Sequence, residues 1–207
     1  MPEIAGVILA GGLSSRMGVE KALMDFGGAP VIARAIARLA PQVAELAINA
    51  NGDPARFAGF GPPVIADARA DRPGPLAGIA AGLAFAAAHG RDRLVTMPCD
   101  APFAPRDLAA RLMAASRGDA IVCARSARGP EPLFALWPVS ALARVEAALA
   151  HGDLAVHRLA AAIGRVDVDI GNAPGEPDWS INLNTPDDLA RALAAQAGPR
   201  ATVVGKC

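Results

Sequence analysis

Short apolar runs of strand length alternate along the chain with alanine-rich segments of helical length. The predicted strands span residues 4–10, 44–50, 64–66, 94–97, 120–124, 133–137 and 165–170. The predicted helices span residues 31–39, 76–89, 105–116, 139–151 and 186–195. Strands that alternate with helices favour a parallel sheet with helices on both faces. The pattern therefore predicts an α/β protein, a single three-layer domain with a mostly parallel, Rossmann-like sheet.

Helix-start signals support the boundaries of two predicted helices. Gly74 and Pro75 open the helix at 76–89, and proline suits the first helical turn because its missing N–H has no partner there. Thr185 is a plausible N-cap, and Pro186 then occupies the first helical position. The acidic residues in the following turn are favourable there, because the N-terminal end of a helix dipole is positive.

Glycines and polar residues stand where the predicted strands end. Ligands bind to open parallel sheets outside the carboxyl ends of the strands, so these residues are expected to meet at one edge of the sheet. They are Gly11 and Gly12 after the first strand, Asn49 and Asn51 at the end of the second, Asp67 after the third, and Asp100 after the strand at 94–97.

The loop after the first strand has the chemistry of a phosphate-binding loop. Consecutive glycines at Gly11 and Gly12 allow backbone N–H groups to approach an anion closely. Arg16 and Lys21 add positive charge, and although most such cations are merely solvated, their place behind a buried strand favours a triphosphate. The spacing Gly-Gly-x-x-x-x-x-Gly matches neither the P-loop nor the dinucleotide fingerprint. We therefore predict a different class of nucleotide-binding protein.

Three further positions have both a structural and a functional interpretation. Asp100 could cap a helix, but its place after a buried strand favours a hard oxygen ligand for Mg²⁺. Asp67 is either a turn residue or an acceptor of hydrogen bonds from a base or ribose. The segment 73–78 is either a rigid turn or a helix N-terminus that contacts a ligand through its backbone.

Other polar residues carry weaker signals. Asn182 and Asn184 would face one side of an extended segment, although a pair of turn asparagines is the simpler interpretation. Cys99 is expected to be a small buried hydrophobic residue. The histidines have no ligand spacing and are expected to be surface or packing residues; they are His89, His151 and His157.

Composition and charge narrow the class of protein further. The length of 207 residues fits one domain, which we place at 1–197, with a weakly held tail at 198–207. A formal net charge of zero and the lack of a long basic run make nucleic-acid binding unexpected. The apolar run at 4–10 is too short for a membrane span or a signal peptide. The odd, widely spaced cysteines favour neither disulfides nor zinc, so a cytoplasmic location is expected.

The motif Leu9-Ala10-Gly11-Gly12-x-Ser14-x-Arg16-Met17-Gly18-x-x-Lys21 resembles the signature of nucleotidyltransferases, which move a nucleoside monophosphate from a triphosphate to a phosphate acceptor. Segments 49–51, 74–78, 98–103 and 182–189 make the resemblance more specific. Together the motifs, which extend from about residue 4 to 193, resemble those of molybdenum cofactor guanylyltransferases, the MobA family. This resemblance implies GTP, Mg²⁺ and molybdopterin as the acceptor, with a guanine dinucleotide cofactor and pyrophosphate as products.

The resemblance also implies roles for individual residues. Catalytic roles would fall to Arg16, Lys21 and Asp100, of which Asp100 would hold Mg²⁺. Acceptor binding would fall to Asn182 and Asn184. Nucleotide contacts would come from Leu9, Ala10, Gly11, Gly12, Lys21, Asn49, Asp67, Gly78 and Asp100.

Two departures from the family pattern affect these assignments. Glu20 stands where the family often has aspartate before the lysine. Residues 152–155 lie where relatives often carry arginines suited to the pterin phosphate. The acceptor-side cation is therefore open between Arg125, Arg128 and Arg158.

The sequence leaves three alternative functions to be considered. A cytidylyltransferase that makes the cytosine form of the cofactor would share the scaffold, but such chains tend to have Leu-Ala-Ala-Gly where this one has Leu-Ala-Gly-Gly at 9–12. Sugar-phosphate nucleotidyltransferases are usually longer. A non-catalytic nucleotide- or cofactor-binding module would not need Arg16, Lys21 and Asp100. Cofactor-insertion or molybdoenzyme-maturation proteins are expected partners, whereas nucleic acid and membranes are not.

Overall fold

The computed structural model describes residues 3–11, 20–67 and 74–197, and it contains seven strands in one sheet. The strands are β1 (Ala5–Leu9), β2 (Glu45–Asn49), β3 (Val64–Ile65), β4 (Arg93–Pro98), β5 (Ile121–Ser126), β6 (Gly129–Pro138) and β7 (Arg165–Asp169). The helices are α1 (Val31–Leu39), α2 (Pro75–Ala88), α3 (Leu108–Ala114), α4 (Leu142–Ala150), α5 (Val156–Ile163) and α6 (Pro186–Ala197). Short 3₁₀ helices occupy Lys21–Leu23, Ala40–Gln42, Pro54–Phe60 and Val139–Ala141.

The sheet has the strand order β3-β2-β1-β4-β6-β5-β7. The pairs β1–β2, β1–β4, β2–β3 and β5–β7 are parallel, while β6 runs antiparallel to both β4 and β5. The predicted mostly parallel sheet is thus confirmed. The direction of β6 could not be predicted from its apolar run, and its first half was missed because prolines at Pro130 and Pro132 usually exclude a strand.

The predicted helices differ from the observed ones at their ends. Helix α3 begins at Leu108 rather than at Pro105, because Asp107 has non-helical φ and ψ angles of −126° and 20°. The segment predicted as one helix at 139–151 divides into a 3₁₀ turn and α4. Helix α5 was not predicted. The N-cap at Thr185 is confirmed, since its Oγ1 accepts a hydrogen bond of 3.1 Å from the backbone N–H of Asp188.

Helices cover both faces of the sheet, as predicted. One buried cluster packs α1 and α3 against one face, and a second packs α2, α4 and α5 against the other. A smaller cluster joins Phe26, Val31 and Phe103 to Leu183 and to Ala192 of α6. This third cluster anchors the segment that leads into α6 beside the carboxyl ends of the strands.

The strand β1 lies at the centre of the core, and all five of its residues are buried. Helix α2 can approach β1 closely because it presents glycines to the sheet. A Cβ atom built on Gly82 would lie 2.8 Å from Cγ1 of Val7 and 2.9 Å from Cδ2 of Leu94. No helix in the described ranges has the length and apolarity that crossing a bilayer requires.

Substitution of Gly82 by alanine tests this close packing. Overpacking of a core costs about 1–3 kcal/mol, and the better helix propensity of alanine recovers up to about 1 kcal/mol. We expect Gly82→Ala to lower the free energy of unfolding by about 1–2 kcal/mol, measured by denaturant unfolding. The control is Gly171→Ala, because Gly171 has open space around its Cβ position and an ordinary φ. Equal stability of the two variants would contradict the packing account.

Candidate active site

The carboxyl ends of β2, β1 and β4 lie side by side because the strands are in register. Leu9 of β1 pairs with Asn49 of β2 and with Pro98 of β4. The residues that follow these strands therefore meet at one edge, as predicted. They surround a cavity of about 270 Å³. Its lining comprises Leu9, Ala10, Gly11, Lys21, Asn49, Asn51, Asp67, Gly74, Pro75, Pro98, Cys99, Asp100 and Leu133.

Two amides hold the carboxylate of Asp67 at one side of this cavity. Nδ2 of Asn49 donates to Oδ1 of Asp67 at 2.9 Å, and Nδ2 of Asn51 donates to Oδ2 at 2.9 Å. The backbone N–H of Asp67 donates in turn to Oδ1 of Asn51 at 3.0 Å. Each carboxylate oxygen keeps acceptor capacity for a further donor. Asp67 is thus fixed as an acceptor at the edge of the cavity, with Asn51 as a partner that the sequence assigned to no role.

Asn49 is itself enclosed by glycines. A Cβ atom on Gly78 would lie only 2.2 Å from Oδ1 of Asn49, while one on Gly11 would lie 3.7 Å from the same atom. Gly78 is buried and is not among the residues that line the cavity. Its close approach leaves space for Asn49 and also for Leu9, whose Cδ2 would lie 2.9 Å from the same Cβ atom, so any effect of Gly78 on a ligand would act mainly through these two lining residues.

A lysine and an aspartate occupy the other side of the cavity. Nζ of Lys21 lies 3.5 Å from Oδ2 of Asp100 and donates to Oδ1 of Asn184 at 2.6 Å. Burial raises the pKa of Asp100 above its ordinary value, and the positive charge of Lys21 opposes this rise. The carboxylate of Asp100 is therefore short of solvation and favours a cationic neighbour.

The segment before α6 lies against this pair. The backbone N–H of Leu183 donates to the carbonyl of Asp100 at 2.9 Å, and Leu183 is fully buried. Asn184 thereby reaches Lys21, whereas Oδ1 of Asn182 is buried without a hydrogen-bond partner among the described residues. Neither asparagine lines the cavity.

The candidate acceptor-side arginines have different surroundings. Arg125 pairs with Asp167 at 2.8 Å, and Arg158 pairs with Asp153 at 2.7 Å. Arg128 lies 3.8 Å from the carboxylate of Glu131 and also donates to the carbonyl of Ser180, on the segment that continues to Asn182. Two predicted site residues, Gly12 and Arg16, lie outside the described residues, as does the predicted tail at 198–207.

The donor set near Asp100 suits a hard cation better than a soft one. Residues 3–11, 20–67 and 74–197 contain no group of three or more histidine, cysteine or acidic side chains that could hold a metal. Mg²⁺ needs no such group, because it is usually held by one or two carboxylates together with substrate phosphates and water. Burial raises the pKa of the Cys99 thiol, so this neighbour stays protonated and is a poor ligand. The predicted packing role of Cys99 agrees with its burial.

The described histidines are also exposed or peripheral. His89 contacts the ring of Phe85 at the end of α2, with ring centroids 4.2 Å apart. His151 follows α4, and its Nδ1 lies 2.7 Å from the backbone carbonyl oxygen of Ala147. None of these rings lines the cavity.

Comparison with known proteins gives one consistent result. The family model of the MobA-like NTP transferase domain matches residues 6–166. A molybdenum cofactor guanylyltransferase from Cereibacter sphaeroides is 48% identical over 190 residues, which cover 90% of this chain and 94% of the relative. One from Acidiphilium cryptum is 45% identical over 197 residues, with 94% and 95% covered. The structure of molybdopterin-guanine dinucleotide biosynthesis protein A from Archaeoglobus fulgidus has the same fold, with a TM-score of 0.76, 22% identity, and 93% and 98% coverage.

Gly78→Ala tests whether the space above this glycine positions Asn49. The added methyl would displace the Asn49 amide and weaken its hydrogen bond to Asp67, so we expect the affinity for a nucleoside triphosphate to fall by about tenfold or more. Calorimetric titration with GTP as the probe measures this change. Gly82→Ala is the control, because its clash on the same helix involves Val7 and Leu94 but not Asn49. Unchanged GTP affinity in Gly78→Ala would contradict the assignment.

Proposed function

The chain belongs to the MobA-like NTP transferase family, and from this we propose that it transfers GMP from GTP to the terminal phosphate of molybdopterin. The products are the guanine dinucleotide form of the cofactor and pyrophosphate. The observation that carries the proposal is the high identity to molybdenum cofactor guanylyltransferases over nearly the whole chain. The cavity agrees with it, because the amide-held carboxylate of Asp67 lies on one side and the Lys21–Asp100 pair lies on the other.

The nucleotide would lie across the cavity between these two sides. The nucleoside belongs beside Asn49 and Asp67, where carboxylate and amide oxygens can accept the N–H and amine donors of guanine or the ribose hydroxyls. Oδ1 of Asn49 accepts no hydrogen bond from any described residue. The phosphates belong beside Lys21 and Asp100, where the ammonium group of Lys21 supplies positive charge.

The reaction needs no general base. The terminal phosphate of molybdopterin is ionised at neutral pH and attacks the α-phosphorus of GTP, while the bond to the pyrophosphate leaving group breaks. Catalysis then depends on positioning and on stabilisation of negative charge, as is usual in phosphoryl transfer. Lys21 and Arg16 would stabilise the departing pyrophosphate. Lys21 lines the cavity, while Arg16 lies outside the described residues.

Asp100 is the residue that would hold a divalent cation, which we propose to be Mg²⁺. When bound there, the ion would neutralise charge on the reacting phosphates. Asp100 fits this role because burial raises its pKa and its one charged neighbour among the described residues is Lys21, at 3.5 Å. Bound phosphates would attract Lys21, and a metal cation would then stabilise the Asp100 carboxylate in its place.

The acceptor would bind on the side of Asp100 that faces residues 180–184. Asn182 and Asn184 are the proposed acceptor-binding residues, and the buried Oδ1 of Asn182 would accept a hydrogen bond there. Arg128 is the proposed acceptor-side cation, because of the three candidates it is the one that contacts this segment. A cytoplasmic location and transfer of the product to cofactor-insertion or molybdoenzyme-maturation proteins complete the proposal.

Asp100→Asn separates the role of Asp100 in metal binding from its role in stability. Burial raises the pKa of Asp100, so ionisation of this carboxyl group costs more free energy in the folded chain than in the unfolded chain. At neutral pH, where the group is ionised, this cost lowers the stability of the fold. In the presence of a chelator, we therefore expect the melting temperature of Asp100→Asn to equal or exceed that of the unmodified chain. GMP transfer should fall by about a hundredfold or more, because a neutral amide binds a hard dication poorly. Near-normal activity at limiting Mg²⁺ would contradict the metal assignment.

Discrimination between GTP and CTP tests the proposed function directly. Oxygen acceptors around Asn49 and Asp67 match the two donor groups of guanine, whereas cytosine offers one donor group and two acceptors. Unpaired buried polar groups make such discrimination steep, so we expect GTP to be preferred by about a hundredfold in kcat/KM with molybdopterin as acceptor. Equal or better turnover of CTP would indicate the cytidylyltransferase alternative, and failure to release pyrophosphate from either would indicate a non-catalytic module.

Gly11→Ala serves as the matched variant in this comparison. Its added Cβ would meet Oδ1 of Asn49 at 3.7 Å, an ordinary contact, so the protein itself tolerates it. The methyl would nevertheless enter the cavity beside the proposed base position. GTP turnover should therefore suffer more than CTP turnover.

A further inference from the structure

An arginine outside the cavity, Arg56, connects its two sides. The guanidinium forms an ion pair with the carboxylate of Glu20. It also donates from Nη2 to the carbonyl of Asn51 at 2.6 Å and from Nε to the carbonyl of Asp53 at 2.9 Å. Arg56 is not among the residues that line the cavity. It contacts instead the two chain segments that supply opposite walls.

On the phosphate side, Arg56 fixes the residue before Lys21. Glu20 has extended backbone angles, and its carbonyl accepts the N–H of Leu23 at 3.0 Å, which starts the 3₁₀ turn that contains Lys21. The ion pair with Arg56 therefore anchors the residue whose backbone carbonyl starts this turn. Lys21 projects from it toward Asp100.

On the nucleoside side, Arg56 fixes the backbone of Asn51. The carbonyl that accepts its hydrogen bond belongs to the peptide before Gly52, which has a φ of +92°. Glycine moves easily between backbone conformations, so this peptide depends on an external contact for its orientation. Asn51 in turn makes two hydrogen bonds to Asp67. The chain of contacts thus runs from Lys21 through Glu20, Arg56 and Asn51 to Asp67.

We propose that Arg56 is a positioning residue that holds Lys21 and the Asn51–Asp67 pair at the separation that one nucleoside triphosphate requires. This inference rests on the proposed function, since it assigns the two walls to the two ends of GTP. The length of the Glu20 side chain matters for this contact, because an aspartate at position 20 would be shorter by one methylene, about 1.5 Å.

The role differs from simple stabilisation. The side chains of Arg56 and Glu20 are 34% and 23% exposed, and exposed ion pairs contribute little to folding stability. Loss of Arg56 should therefore leave the fold intact but allow the two walls to move independently. The cost would appear in GTP binding, where both walls must engage one ligand.

The experiment compares Arg56→Gln with Arg91→Gln. Arg91 pairs with Glu45 at 2.7 and 2.5 Å, with side chains 28% and 27% exposed, so the lost ion pair is similar. This control pair lies at the start of β2 and just before β4, at the opposite edge of the sheet. We expect Arg56→Gln to raise the KM for GTP by about tenfold, with a smaller change in kcat and an unchanged KM for molybdopterin. Both variants should change the melting temperature equally.

Two further variants sharpen the result. Arg56→Lys should recover only part of the GTP affinity, because an ammonium group can pair with Glu20 but cannot match the planar fork that also reaches two carbonyls. Glu20→Gln should raise the KM for GTP, and its effect should be less than additive with that of Arg56→Gln, because both break the same contact.

Each outcome decides a separate point. Identical kinetics of Arg56→Gln and Arg91→Gln, or a rise confined to the KM for molybdopterin, would overturn the role of Arg56. Absence of GMP transfer by the unmodified chain would overturn the proposed function instead. Calorimetric titration of GTP into the same variants would then still decide whether Arg56 positions the site, with equal affinities overturning that role.

Discussion

Parallel pairing of β1 with both β2 and β4 is the constraint on which the candidate site depends. The pairing sets Leu9 level with Asn49 and with Pro98, so the residues that follow three strands emerge at one height. A shift of one residue between β1 and β2 would turn Asn49 away from the cavity, since side chains alternate along a strand. A shift between β1 and β4 would change the height at which Asp100 follows its strand. The complete burial of β1 holds this register. Close packing of α2 on β1 adds to the constraint and also fixes Asn49.

The carboxylates on the two sides of the cavity have different partners. Asp67 is a carboxylate held by two neutral amides, which fix its orientation without neutralising its charge. Asp100 is a partly buried carboxylate beside a single lysine among the described residues, and its raised pKa reflects incomplete solvation. The first arrangement suits recognition of hydrogen-bond donors. The second suits a site where cations and phosphates exchange partners during a reaction.

The sequence predicted those features that depend on local chemistry and strand order. Apolar runs followed by Asn49, Asp67 and Asp100 located the edge of the sheet at which the cavity lies, because parallel strands end together. The cap at Thr185 followed from side-chain hydrogen bonding within one turn. These signals needed no information about distant contacts.

Other features depend on contacts between distant parts of the chain and could not be predicted. The antiparallel direction of β6 is set by its hairpin with β5. An apolar run alone does not indicate the direction of a strand. The role of Gly78 in nucleotide binding stays a prediction, and the tight space that it leaves for Asn49 became visible only in the folded chain. Arg56 sits in a 3₁₀ segment without any motif, and its contacts with Glu20 and Asn51 appear only when the chain is folded.

The central claim is that one cavity holds GTP with its nucleoside at Asn49 and Asp67 and its phosphates at Lys21 and Asp100. A crystal structure of the chain with GTP and Mg²⁺ tests this most directly. The account predicts guanosine within hydrogen-bond distance of the Asn49–Asp67 wall, the triphosphate against Lys21, and the metal on a carboxylate oxygen of Asp100. A nucleotide bound in the reverse orientation, or in the separate cavity between Arg38, Arg106 and Trp179, would contradict it.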